Sequence, residues 1–206
     1  LFAGFYAIVQ AMNQRFEQAA VAIFVAMVLD GLDGRVARLT HTQSAFGAEY
    51  DSLSDMVCFG AAPALIMYEW ALKDLGRFGW ISAFVFCVGA ALRLARFNTN
   101  IDVVDKRFFQ GLPSPAAAAL CAGLIWVIDD FGIQRAEVIR GIAAALTLFA
   151  GITMVSNVPF YSFKDINLRR SVPFWAVLLI AFAMILISSN PPMILFLLFI
   201  VYSVSG

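Results

Sequence analysis

Four aspartates, Asp30, Asp33, Asp51 and Asp55, lie close together in a chain that is 62% hydrophobic and only 14% charged. A carboxylate at membrane depth costs a few kcal/mol or more, so acidic residues there are rare and mark function. Residues three or four apart on a helix share a face. Asp30, Asp33, Gly34, Ala37 and Arg38 therefore form one stripe, and Gly47, Asp51 and Asp55 form a second. Residues 39–46 between them are few enough to make the two helices an antiparallel pair, which brings all four carboxylates to one small volume near one end of a bundle. Four such charges repel one another and are driven to protonate unless cations sit among them. Two divalent ions balance them, and oxygen-only ligands select a hard ion, Mg²⁺ or Mn²⁺. Gly34, Ala37 and Gly47 remove bulk from the same faces, which suits either close helix packing or the approach of a planar base or phosphate. Arg38, one turn from Gly34, is placed to pair with a phosphate.

The elements that must carry these residues follow from composition. A soluble protein is about 45–50% apolar and about 25% charged, so this chain is expected to be an integral membrane protein. Only helices or closed barrels satisfy the backbone in lipid, and a helical span needs about 20 mostly apolar residues. The expected fold is all-α, a polytopic membrane helical bundle forming one domain over residues 1–206. Its apolar spans are expected at 1–12, 18–39, 45–72, 78–98, 114–131, 136–158, 171–189 and 192–206. That makes eight transmembrane helices, the terminal two read as truncated. The neutral net charge supplies no basic field for nucleic acid. Cys58, Cys87 and Cys121 stand singly in apolar runs, as buried reduced thiols do.

Orientation follows from the cations. Arg35, Arg38, Arg93, Arg96, Lys106, Arg107, Lys164, Arg169 and Arg170 fall at the aspartate end, against Arg15, Lys73, Arg77, Arg135 and Arg140 at the other. The positive-inside rule places the aspartates in the cytoplasm, at a cytoplasmic membrane.

Other polar groups gather at the same end. Arg93 and Arg96, three apart, suit a carboxylate or a phosphate, and serve equally as topology charges snorkelling to headgroups. Asn98 follows closely. The segment 109–115, with Gly111, Pro113 and Pro115, reads as a lid or wall over the site, or as a plain loop with proline at a helix start. Asn157, Tyr161 and Lys164 form a weaker cluster. His41 reads as a loop residue, the phenylalanines as lipid contacts, Trp70, Trp80 and Tyr161 as interface anchors, and Asp129, Asp130 and Glu137 as outer surface. A cation channel or transporter also uses intramembrane carboxylates, although transporters tend to show internal repeats, and none is visible here.

The residues Asp30, Asp33, Gly34, Ala37, Arg38, Gly47, Asp51 and Asp55, in order and at this spacing, resemble the signature D-x2-D-G-x2-A-R-x8-G-x3-D-x3-D of the CDP-alcohol phosphatidyltransferases without a departure. Phe59, Gly60 and Pro63, then Arg93, Arg96, Phe97 and Asn98, then Phe109, Gly111, Leu112, Pro113, Ser114 and Pro115 look like the serine-using branch, the phosphatidylserine synthases. The resemblance implies transfer of the phosphatidyl group of CDP-diacylglycerol to the hydroxyl of L-serine, giving phosphatidylserine and CMP, in a homodimer. It implies that Asp30, Asp33 and Asp51 hold two metal ions and position the diphosphate, that Asp55 also reaches the metals and acts as general base, and that Asp30, Gly34, Ala37, Arg38, Gly47 and Asp51 line the CDP-diacylglycerol pocket. Arg93, Arg96, Asn98, Gly111 and Pro113 are the expected serine-binding residues. Acceptors such as glycerol 3-phosphate or inositol remain open within the family. Its members also carry a Pro-Asn element before the first span, which these 206 residues lack and which is expected to have been cut away.

Overall fold

The computed structural model describes residues 1–39, 44–99, 108–133, 137–161 and 174–206. Helices dominate it. α1 (Phe2–Met12) and α2 (Phe16–Leu39) pair through a short turn, and α3 (Ala45–Asp55) begins where the Ser44 hydroxyl accepts the Gly47 N–H at 3.0 Å, an N-cap that satisfies a free donor of the first turn. The expected third span at 45–72 is helical throughout, but not uniformly α. A π-helical stretch (Met56–Ala61), α4 (Ala62–Met67), a second π-helical stretch (Tyr68–Leu72) and a 3₁₀ turn (Lys73–Leu75) follow α3 without a break. The wider winding is visible in the bonds: Ala62 N–H reaches back five residues to Val57 O, and Lys73 N–H to Tyr68 O.

α5 (Arg77–Thr99), α6 (Ser114–Asp130), α7 (Glu137–Val155), α8 (Phe174–Ser189) and α9 (Pro191–Val204) complete the bundle. Pro191 and Pro192 occupy the first turn of α9, where missing N–H groups cost nothing, and Asn190 caps it by accepting from Met193 N–H at 3.2 Å. To the all-α expectation the structure adds one small sheet. β1 (Phe108–Gln110) pairs antiparallel with β2 (Pro159–Tyr161), with Phe109 opposite Phe160, at positions expected to be loop.

Among the described residues, α5 and α7 are each long and apolar enough to cross a membrane, and residues Ala181–Ser189 with Pro191–Val204, bent by 119°, are a further candidate. α2 carries the charges of the aspartate stripe, and π-helical turns divide the third helical run, so neither stands out as a plain apolar rod. The core is built from small side chains: Ala19, Ala62, Ala90, Ala117, Ala143 and Ala150 are fully buried where helices meet. Contacts of this kind let backbones approach in lipid, where no hydrophobic force drives helices together.

The phenylalanines divide between two environments. Phe16, Phe59, Phe86 and Phe160 are buried, while Phe2, Phe46, Phe84 and Phe182 are exposed on the helix surfaces. Trp70 departs from its expected place at the lipid interface. It is 3% exposed, and its indole N–H donates to Asp129 Oδ1 at 3.2 Å, because a buried indole needs an acceptor. Trp80 is exposed and stacks on Phe84. Cys58, Cys87 and Cys121 are free thiols.

α5 and α7 meet most closely at a glycine pair. A Cβ on Gly89 would lie 2.5 Å from the Gly151 carbonyl oxygen, and one on Gly151 would lie 2.9 Å from Phe86 Cα. Gly89→Val is expected to cost about 1–3 kcal/mol by overpacking, read as a lower thermal midpoint in detergent. Gly141→Val, at a position with open space around it, is expected to leave the midpoint unchanged; equal effects at both sites would remove the tight crossing as the cause.

Candidate active site

The aspartates occupy two adjoining helices at one end of the bundle. Asp30 lies in the second half of α2, Asp51 and Asp55 in α3, and Asp55 is the last residue before the winding changes to π. One carboxylate oxygen from each of Asp30, Asp51 and Asp55 lies within 4.8 Å of the others. Asp33, expected in the same cluster, lies outside this group; it is exposed, and its Oδ1 accepts the Gly34 N–H at 2.7 Å. The residues fit a divalent cation on two counts. The donors are all oxygens at a spacing one ion can bridge, and Asp55 Oδ1 is buried without a hydrogen-bond partner among the described residues. Such an orphaned acceptor is costly unless a cation or ligand satisfies it.

Among the described residues, none packs against the Gly34 face of α2. No described atom comes within 4 Å of the place a Cβ would take, so α2 presents open space beside the carboxylates. Gly47 differs, because a Cβ there would sit 3.1 Å from the Ser44 hydroxyl that caps α3. The backbone of α2 extends through Ala37 and Arg38, whose side chains lie outside the described residues, as do His41 and Lys164.

α5 brings its polar groups to this end in unequal ways. Arg93 is 8% exposed, donates from Nη1 to Ser114 Oγ at 3.1 Å, and interacts electrostatically with Asp55 and Tyr202. Arg96 instead donates to the carbonyls of Val155 and Ser156 and to Asn157 Oδ1, which closes the C-terminal end of α7. Cations at that position also complement the helix dipole. Asn98 donates to Ser52 Oγ at 3.0 Å and so ties α5 to α3, one residue from Asp51.

The segment before α6 is held by its glycine and by two backbone hydrogen bonds. Gly111 has φ +78°, and a Cβ there would strike the Met154 carbonyl, so the position needs glycine. Its N–H donates to Val158 O at 2.9 Å, and that of Leu112 to Thr153 O at 3.0 Å. Pro113 then caps α6, with Pro115 in the first turn. Tyr202 was not singled out by the sequence, and Ser114 only as a member of the 109–115 motif, with no role of its own. A serine between two prolines reads as a helix start, and an aromatic at the end of an apolar span reads as an interface residue. Only the folded arrangement, with α6 packed on α9 and Arg93 bonded across from α5 to Ser114, reveals their neighbour.

The opposite end is polar but differently organised. Gln14 and Lys73 both bond Glu69, and Arg140 pairs with Asp74 at 2.9 Å. These contacts join the α1–α2 turn, the end of the third helical run and the start of α7.

Residues 1–153 match the family described as CDP-alcohol phosphatidyltransferase. The chain is 37% identical over 167 residues to the CDP-diacylglycerol–serine O-phosphatidyltransferase of Helicobacter pylori, an alignment covering 81% of this chain and 70% of that one. It is 38% identical over 143 residues to a protein of the same name from Methanocaldococcus jannaschii, covering 69% and 63%. A third so named, from Saccharomyces cerevisiae, is 38% identical over 180 residues, covering 76% and 64%.

Proposed function

The chain belongs to the CDP-alcohol phosphatidyltransferase family, and we propose that it transfers the phosphatidyl group of CDP-diacylglycerol to L-serine, releasing CMP. One observation carries the choice of serine: relatives from a bacterium, an archaeon and a yeast, each aligned over more than two thirds of this chain, bear the same name. The convergent carboxylates beside open space on α2 support the chemistry.

In this reading Asp30, Asp33, Asp51 and Asp55 hold two Mg²⁺ or Mn²⁺ ions. Bound there, the ions neutralise the carboxylates and polarise phosphoryl oxygens. Asp30, Gly34, Ala37, Arg38, Gly47 and Asp51 line the CDP-diacylglycerol pocket, the bare face at Gly34 admitting the nucleotide. The serine oxygen attacks the phosphorus that bears diacylglycerol, its proton passes to Asp55, and the bond to CMP breaks as the new P–O bond forms. A base within hydrogen-bond reach is needed because a neutral hydroxyl is a poor nucleophile. Arg93 faces the acceptor carboxylate. Arg96, Asn98, Gly111 and Pro113 shape the acceptor's surroundings, Arg96 by anchoring the end of α7 and Gly111 by holding the wall before α6.

The protein is read as a homodimer with eight spans in the cytoplasmic membrane, its aspartate end facing the cytoplasm, where the excess of Lys and Arg supports that orientation.

The test offers purified protein CDP-diacylglycerol with serine, glycerol 3-phosphate or inositol. Phosphatidylserine and CMP in equal amounts, with serine alone, is the expected result. A different lipid product would overturn the serine reading, and labelled phosphatidyl left on the protein without acceptor would overturn direct attack.

A further inference from the structure

Arg93 lies in the interior of α5, 8% exposed. A cation at such depth keeps its place only where polar groups face it from the surrounding elements. Ser114 on α6 accepts its hydrogen bond, and Asp55 on α3, Tyr202 on α9 and Arg96 on its own helix interact with it electrostatically. Ser114 is fully buried, and its Oγ accepts a hydrogen bond from Arg93 Nη1–H at 3.1 Å.

Ser114 has little freedom to move. It is the first residue of α6, Pro113 before it has φ −57° and ψ 135°, and the Pro113 carbonyl accepts the Ala117 N–H at 3.0 Å. Tyr202 is fixed as well, its hydroxyl donating to Tyr161 O at 3.2 Å and its ring packed on Phe160. Arg93 therefore has a rigid acceptor in Ser114 and lies within electrostatic reach of the Asp55 carboxylate.

We propose that Ser114 is a positioning residue: its hydroxyl fixes the Arg93 guanidinium between Asp55 and the bound acceptor, so that α6 sets the aim of a group carried by α5. This rests on the reading of Asp55 and Arg93 given above. A planar guanidinium recognises a carboxylate only when its fork is correctly turned. Ser114 fixes that turn without touching the acceptor, whose carboxylate meets Arg93 while its hydroxyl meets Asp55.

Steady-state kinetics on the full chain test this. Ser114→Ala is expected to raise the acceptor KM about tenfold, the scale of a lost hydrogen bond to a charged group, while kcat and the CDP-diacylglycerol KM stay close to wild type. Ser114→Cys, nearly the same size but a poor acceptor, is expected to match alanine, which separates the bond from any disturbance of the first turn of α6. Arg93→Lys raises the acceptor KM by itself, and adding Ser114→Ala to it produces no further rise, because both changes act through one group. Additive effects, or a fall in kcat with acceptor KM unchanged, would overturn the proposal. The KM is measured for whichever alcohol the wild type turns over, so an acceptor other than serine defeats the serine reading while the cycle still decides the role of Ser114.

Discussion

Asp55→Asn is expected to lower turnover by about 10²–10⁴-fold, the usual contribution of a positioned general base, while CDP-diacylglycerol still binds. The amide keeps the volume and one oxygen of the carboxylate but cannot take a proton at neutral pH. Among the convergent acids Asp55 suits the role for two reasons: its Oδ1 is buried without a partner among the described residues, and it faces Arg93, the cation assigned to the acceptor. Asp51 is exposed by contrast and stands one turn nearer the end of α3 where that helix begins. Turnover is measured as CMP release, and binding with radiolabelled CDP-diacylglycerol in nanodiscs. If the asparagine variant fails to bind the lipid nucleotide, Asp55 serves the metal and the diphosphate instead, and the base lies elsewhere.

Removing divalent cations is expected to abolish activity, by at least about a hundredfold, because stabilising phosphoryl charge is worth several kcal/mol. Asp30, Asp51 and Asp55 hold their oxygens within 4.8 Å, so without a cation their ionised forms repel. The same repulsion gives a second readout with a definite sign. In metal-free protein Asp30→Asn relieves repulsion and is expected to raise the thermal midpoint, whereas in saturating Mg²⁺ or Mn²⁺ it removes a ligand and lowers the midpoint relative to wild type. Activity that survives exhaustive chelation, or a variant midpoint indifferent to metal, would count against a metal site at this cluster.

Much of this arrangement was legible in the chain. The spans expected at 78–98 and 114–131 correspond to Arg77–Thr99 and Ser114–Asp130, because long apolar runs in lipid have few alternatives to helix. The two aspartate stripes were readable because helical periodicity is rigid, yet the same periodicity explains Asp33. Three residues advance about 300°, which leaves Asp33 about 60° off the line of Asp30, and the structure places it outside the close group. What stayed hidden depends on contacts distant in sequence. The pairing of β1 with β2 joins segments some fifty residues apart, and the burial of Trp70 follows from Asp129 on another helix. Arg96 shows the same limit, since its three acceptors belong to the end of α7.

The π-helical stretch after Asp55 makes the aspartate-bearing half of the third helical run depend on phase as well as composition. Each π turn accommodates one residue more than an α turn, so Asp51 and Asp55 upstream and Ala62 and Ile66 downstream keep their facing only because one extra residue is taken up at Met56–Ala61. A single-residue deletion there would let the run close as plain α-helix with both halves still facing their partners, whereas a deletion between Asp51 and Asp55 would swing one half about 100° relative to the other. Along the α-helical part that carries the acids the length of the chain is constrained as tightly as their identity, so a one-residue gap in related sequences is expected at Met56–Ala61 rather than between Asp51 and Asp55.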